Sequence, residues 1–249
     1  MLAIQIGNAR IGFHSTSRAL CDAIAARFGN GRNGFSEVLP ERRNLEIQVK
    51  DGVAFVDYEG EIGRIDLARS EVHVTSSLVL ADALVRAALA WQLANRGGIL
   101  LHSSAVRIDG RAFVFFGRST AGKSTLARAY GDVIADELSL VESTDREDGG
   151  GFLVHPTPWW HGKGPPAKLA RLVWIVRGEA PSVRRIRGGE LVRGLSKEAG
   201  RYFPVADFER KVFDLCARMA SSGGLRVAAG EGRVVEDVRA ALAQFPEAA

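Results

Sequence analysis

Cysteine is scarce in this 249-residue chain: Cys21 and Cys216 are its only two, and neither belongs to a Cys-x-x-Cys pair. That scarcity excludes a disulfide framework and a cysteine-based zinc site, and it fits a reducing cytoplasm. Long apolar runs are also missing. A membrane span needs about 20 predominantly apolar residues, and the strongest stretch, around residues 78–94, is interrupted by Asp82, Arg86 and Gln92. The opening Met1-Leu2-Ala3-Ile4-Gln5-Ile6 has neither the basic region nor the apolar core of a secretory signal. The expectation is a soluble, cytoplasmic protein with no membrane partner.

No basic stripe is present either. The net charge of +4 comes from 33 Lys and Arg against 29 Asp and Glu, with the two signs interspersed. The local exceptions are Glu41-Arg42-Arg43 and Arg184-Arg185-Ile186-Arg187, which read as solvated faces or the rim of an anionic-substrate site. A nucleic-acid partner is not expected. Internal repeats and low-complexity linkers are absent. What remains is an average globular composition, 46% hydrophobic and 25% charged, in a chain long enough to bury a core without staples.

The first 75 residues read as short strands, at Ala3–Ile6, Leu45–Val49, Val53–Tyr58 and Glu71–Val74, with a hairpin turn at Asp51-Gly52. A helix from Ser17 to about Phe28 intervenes, closed by Gly29-Asn30-Gly31. This predicts a small mixed α/β N-terminal lobe over 1–75. From 76 to 249 the pattern changes. Ser76 or Ser77 caps a helix through Leu93, ended by Asn95-Arg96-Gly97-Gly98. Strands follow at 99–106 and 112–116, then a helix from Ser124 and a strand at Val133-Ile134-Ala135. Residues 142–151 read as a polar loop, 172–176 and 225–228 as strands, and 205–219 and 234–245 as helices. The alternation predicts an α/β fold.

The strongest motif is Gly117-Arg118-Ser119-Thr120-Ala121-Gly122-Lys123-Ser124, a complete G-x-x-x-x-G-K-S, followed by Thr125. The glycines let the backbone curl so that successive N–H groups face phosphate oxygens, and the helix behind adds its positive end. Lys123 supplies a compact cation for the β- and γ-phosphates, and the Ser124 hydroxyl is a magnesium ligand. Gly117, Ser119, Thr120, Ala121, Gly122, Lys123, Ser124 and Thr125 are thus the expected contacts for ATP with Mg2+. Asp136-Glu137, just past the next strand, supplies carboxylates near the metal or merely caps the following segment. His102, alone on an apolar strand, reads as a hydrogen-bonded core residue or as a catalytic one.

Leu101-His102-Ser103-Ser104-Ala105-Val106, the loop 117–125 and Ala135-Asp136-Glu137, in this order and spacing, resemble the C-terminal catalytic domain of HPr kinase/phosphorylase. They resemble the shorter HPr-kinase-like proteins more closely, and the likeness is specific over roughly residues 98–142. It implies a P-loop kinase core of the HPr-kinase type with a mainly β central sheet. It also implies Asp136 as general base on an acceptor hydroxyl, His102 beside that acid, Lys123 on the phosphates, and Glu137 with Ser124 on magnesium. Glu137 stands where the family has Asp. The glycine-rich signature and the basic loop of phosphorolysis are not found, so reverse phosphorylase activity is not implied.

The resulting expectation is an ATP/Mg-dependent kinase acting on a peptide or protein serine or on a small-molecule hydroxyl, with oligomerisation left open. The other reading is an ATP-binding sensor or scaffold without phosphotransfer. His155-Pro156-Thr157-Pro158-Trp159-Trp160-His161-Gly162-Lys163-Gly164 stands apart. Its paired tryptophans either line an acceptor cleft, with His161 or Lys163 meeting an anion, or plug the core. Arg184, Arg185 and Arg187 either border that cleft or face solvent.

Overall fold

The computed structural model describes residues 2–29, 45–58, 60–144, 150–159 and 162–245. The expectations for Asn30-Gly31, Glu41-Arg42-Arg43, Trp160 and His161, and for 145–149 of the polar loop, lie outside these residues. The fold is mixed α/β with two large sheets. One sheet has six strands: β1 (Leu2–Ile6), β2 (Ala9–His14), β3 (Leu45–Lys50), β4 (Val53–Tyr58), β5 (Glu61–Asp66) and β6 (Glu71–His73), in the order β1-β2-β6-β5-β4-β3. Strands β2 and β5 were not expected. Strand β2 alternates buried and outward positions along its whole length and β5 from Ile62 onward, but Gly12 and Gly63 dilute the sequence pattern.

Helices α1 (Arg18–Gly29) and α2 (Leu78–Arg96) pack on the inner face of this sheet. Helix α2 starts where its cap predicts: the Ser77 hydroxyl accepts from the Leu80 N–H at 3.2 Å, and Gly97 closes the helix at φ 81°. It is long and apolar enough to cross a membrane by length and composition, with 72% of the relevant window buried inside the fold. The three residues that interrupt its apolar run, Asp82, Arg86 and Gln92, are all buried, so their polarity is used inside the protein.

The second sheet has eight strands: β7 (Gly98–Ile108), β8 (Arg111–Phe116), β9 (Val133–Ala135), β10 (Leu138–Thr144), β11 (Gly151–His155), β12 (Ala167–Arg177), β13 (Ser182–Ile186) and β14 (Gly224–Ala229). The main order is β11-β10-β7-β8-β12-β14-β13, with β9 beside β7 and β11 also touching β12. Strand β12 lies parallel to both β8 and β14, and it is covered on both faces, which explains its near-continuous apolar run. Along β8 the layers separate by alternation: Ala112, Val114 and Phe116 face the core shared with the six-stranded sheet, while Phe113 and Phe115 face a second core.

Helices α4 (Gly188–Glu198) and α5 (Ala206–Ser221) complete the first core, and α3 (Lys123–Tyr130) and α6 (Val234–Gln244) cover the second. Helix α4 and strand β13 were missed. Strand β10 also runs to Thr144, into residues expected to be loop. The first core runs without a break from β1 through α2 to β10 and α5. Cys21 and Cys216 are both free, and burial pushes the Cys216 thiol up to about 11.

Candidate active site

Strand β8 ends at Phe116 and the chain turns through 117–122 into α3. Two glycines are required there by space as well as by conformation. A Cβ on Gly117 (φ 145°) would lie 2.2 Å from the Ile175 carbonyl oxygen, and one on Gly122 (φ 91°) would lie 2.8 Å from Val234 Cγ1 on α6. Thr120, at φ 66°, sharpens the bend, and Arg177 holds its carbonyl at 3.1 Å. Ser119, Thr120 and Thr125 are exposed, Ala121 is buried, and Ser124 is half-buried. A cavity of about 490 Å³ opens beside the loop between Arg118–Ala121 and Ile175–Arg177 at the end of β12.

Lys123 is buried, and its ammonium donates to the Gly117 carbonyl at 2.8 Å and to the Arg118 carbonyl at 3.2 Å. Burial pushes its pKa below the usual lysine value, opposed by the charges of Glu198 and Asp136. A desolvated cation tied only to carbonyl dipoles at the mouth of a loop suits a phosphate.

The acidic pair owes its position to β7. Strand β9 pairs with β7 at Ala105, and β10 pairs with it from His102 back to Gly98. Asp136 and Glu137 therefore form the step opposite Ser103-Ser104, and Glu137 adopts φ 69° to make it. Asp136 is fully buried. Its Oδ1 accepts from Ser104 Oγ at 2.6 Å, Ser124 Oγ at 2.8 Å and the Glu137 N–H at 3.0 Å. All three bonds fall on one oxygen.

His102 is engaged by a carboxylate not foreseen: its Nδ1 lies 3.3 Å from Glu198 Oε2. Glu198 ends α4, and a bridge between Leu101 and Ala199, with the Gly200 N–H on the Leu100 carbonyl at 2.8 Å, pins that end against β7. Glu198 is the site residue that sequence reasoning missed. It lies far beyond the loop and the acidic pair in sequence, in a helix not foreseen, and no local signal marks it.

Glu137 is engaged rather than open. Arg86 Nη1 donates to its Oε1 at 2.8 Å, and the same guanidinium reaches Asp82 Oδ2 at 2.5 Å. The other oxygen of Asp82 takes Arg27 at 2.6 Å and the Trp159 indole N–H at 3.1 Å. Asp82 and Glu137 hold the Arg86 pKa above its usual value against the opposing cost of burial. A buried chain of charges thus runs from α1 through α2 to the acidic step.

Trp159 belongs to that chain. It is buried edge-on against Phe28, with the Arg86 guanidinium over its ring at 4.9 Å, so of the two readings for this tryptophan the plug holds. Arg185 and Arg187 line a different cavity, of about 230 Å³, with Arg171 and residues 222–225, and Arg184 pairs with Glu190. The cleft formed with Trp159 is not observed among the described residues.

No protein-family model and no curated protein matches the chain. Among solved structures, the HPr(Ser) kinase/phosphatase from Coxiella burnetii is similar over 58% of this chain and 94% of its own, at 10% identity and a TM-score of 0.30. At that score the likeness is a distant one of fold and carries no argument about the site.

Proposed function

We propose that this protein is an ATP/Mg2+-dependent kinase that phosphorylates a hydroxyl, on a peptide or protein serine or on a small molecule. One observation supports it above the others: Asp136 bridges Ser104 and Ser124 at the root of a glycine-built loop whose lysine is buried and lowered in pKa. Phosphoryl transfer is mostly positioning and charge neutralisation, and these are the groups it needs. Residues 76–249 would be the catalytic domain, with 1–75 a lobe carrying no loop residue.

Each residue then has a defined task. The N–H groups of 119–124 and the Lys123 ammonium bind the phosphates, and Thr125 supports the loop from α3. Ser124 Oγ and Glu137 would hold magnesium, which when bound neutralises charge on the β- and γ-phosphate oxygens. Asp136 Oδ2 accepts the proton of the acceptor hydroxyl, a role worth about 10²–10⁴ in rate. His102, held by Glu198 at 3.3 Å, would orient the acceptor or Asp136.

One observation favours the second reading, a nucleotide sensor without transfer: Glu137 is already neutralised by Arg86. The two readings separate in one experiment, incubation of the pure protein with γ-labelled ATP, Mg2+ and a panel of peptide serines, polyols and amino acids. Label in one acceptor, lost in Asp136→Asn, is the expected result. Tight ATP binding with no transfer, and no effect of that variant, would sink the kinase reading.

A further inference from the structure

A second cluster of chemical groups lies far from the loop, on the outer face of the six-stranded sheet. Strands β2 and β6 are parallel neighbours with His14 directly opposite His73 and Gly12 opposite Glu71. Phe13 and Val72 point into the core, so alternation turns His14, Glu71 and His73 to the other face together. His14 Nε2 lies 3.8 Å and His73 Nε2 3.9 Å from the same oxygen, Glu71 Oε2. All three ligand atoms fall within 4.8 Å of one another. We propose that His14, Glu71 and His73 bind a late first-row divalent metal ion, with zinc(II) the best match.

Three further observations carry it. First, His14 Nε2 is closed off from solvent yet has no hydrogen-bond partner, a state that a buried polar atom normally avoids. A metal ion satisfies it. Second, the two imidazoles stack at 4.5 Å and 13°, which holds the rings side by side, so that a small rotation about the side-chain torsions would converge both nitrogens on one ion. Third, the neighbouring strand position is a glycine. A Cβ on Gly12 would lie 3.1 Å from Glu71 Cγ and 3.8 Å from His14 Nε2, so its absence keeps the pocket for these groups clear.

The donor set also selects the ion. Two imidazoles and one carboxylate suit zinc and its neighbours, whereas magnesium takes oxygen ligands. Zinc bonds of about 2.0–2.1 Å put tetrahedral ligands ~3.3 Å apart, so each histidine nitrogen would close on the Glu71 oxygen by about half an ångström, and the two nitrogens, which lie within 4.8 Å, on each other by at most about 1.5 Å. Three protein ligands leave a fourth position to be filled, and both histidines line a cavity of about 400 Å³. Arg64, opposite His73 on β5, lines that cavity beside Phe55 and Ile62. Water or a small anion next to Arg64 would complete the coordination.

The test uses the full chain, stripped with a chelator and free of nucleotide, titrated with Co2+ and then Zn2+. The expected result is about one cobalt per chain with the visible absorption of a low-coordinate ion, displaced by zinc. His14→Ala and His73→Ala should each weaken binding at least about tenfold, while Lys123→Ala leaves it unchanged. Absence of the band, or equal affinity in His73→Ala, overturns the site. Should the alanine variants fold poorly, Glu71→Gln and zinc-edge X-ray absorption of the wild type decide instead. Two imidazole nitrogens around zinc support the site, and a shell of oxygen alone refutes it.

Discussion

Two buried aspartates, Asp82 and Asp136, organise two polar clusters that differ in kind. Around Asp82 the partners are two guanidinium groups and an indole N–H from three elements: Arg27 on α1, Arg86 a turn further along α2, and Trp159 beyond β11. Around Asp136 the partners are two serine hydroxyls and a backbone N–H, all from the loop and the strands beside it. The first cluster ties elements together with full charges that satisfy one another. The second gathers neutral donors onto one carboxylate oxygen at the root of the loop that carries Lys123. One cluster ties the fold together, and the other is where the proposed chemistry would sit.

That contrast can be broken at several points. Asp82→Ala should have the largest effect, because it removes the buried carboxylate that the Arg27 and Arg86 guanidinium groups share. Breaking such a pair costs about 3–5 kcal/mol, a large part of the whole stability of a domain, and urea unfolding would register it. Asp136→Asn is the counterpart: Asn Oδ1 still accepts the same three bonds, so the midpoint of unfolding should hardly move. Phosphotransfer should fall about 10²–10⁴-fold in a labelled-ATP assay. An Asp136→Asn protein as unstable as Asp82→Ala would erase the distinction.

Lys123→Ala comes next. Charge-assisted hydrogen bonds are worth about 1.5–3 kcal/mol, so ATP affinity should drop some 10- to 150-fold by calorimetry. Thermal stability should hold or rise, because a desolvated ammonium is removed. The smallest effect concerns Glu142, which joins the two sheets: Asn8 of the β1–β2 turn donates to it at 3.1 Å, and His155 Nε2 lies 2.8 Å away. The His155 imidazole holds the Glu142 carboxyl below its usual value. A depressed carboxylate adds stability above its unfolded-state pKa, and that gain is lost as pH falls through the lower folded value. Glu142→Gln should therefore lower stability near neutrality and leave it little changed at acid pH, so that the acid limb of stability against pH flattens.

The sequence made one cluster legible and hid the other, for a physical reason. The glycines, Lys123 and Ser124 are contiguous, and the acids follow one strand later, so local spacing alone assembles most of that site. Asp82 and Arg86 were visible only as interruptions of an apolar helix. Their meaning depends on Arg27, Glu137 and Trp159, which long-range packing brings together. Glu198 was out of reach likewise, since a single bridge at Ala199 delivers it to His102. The N-terminal sheet was half legible, and the His14–Glu71–His73 cluster needs the β2–β6 register, which no periodicity reports.

The backbone at Glu137 has a consequence for how this protein changes over generations. A non-glycine residue at φ 69° carries strain of about 1–2 kcal/mol that glycine would relieve at once, so neutral drift at this codon runs toward Gly or Asn. Retention of a long acidic side chain there requires continuous selection. In a library of random variants screened first for folding alone and then for phosphotransfer, Glu137 should be diluted in the first round and restored in the second.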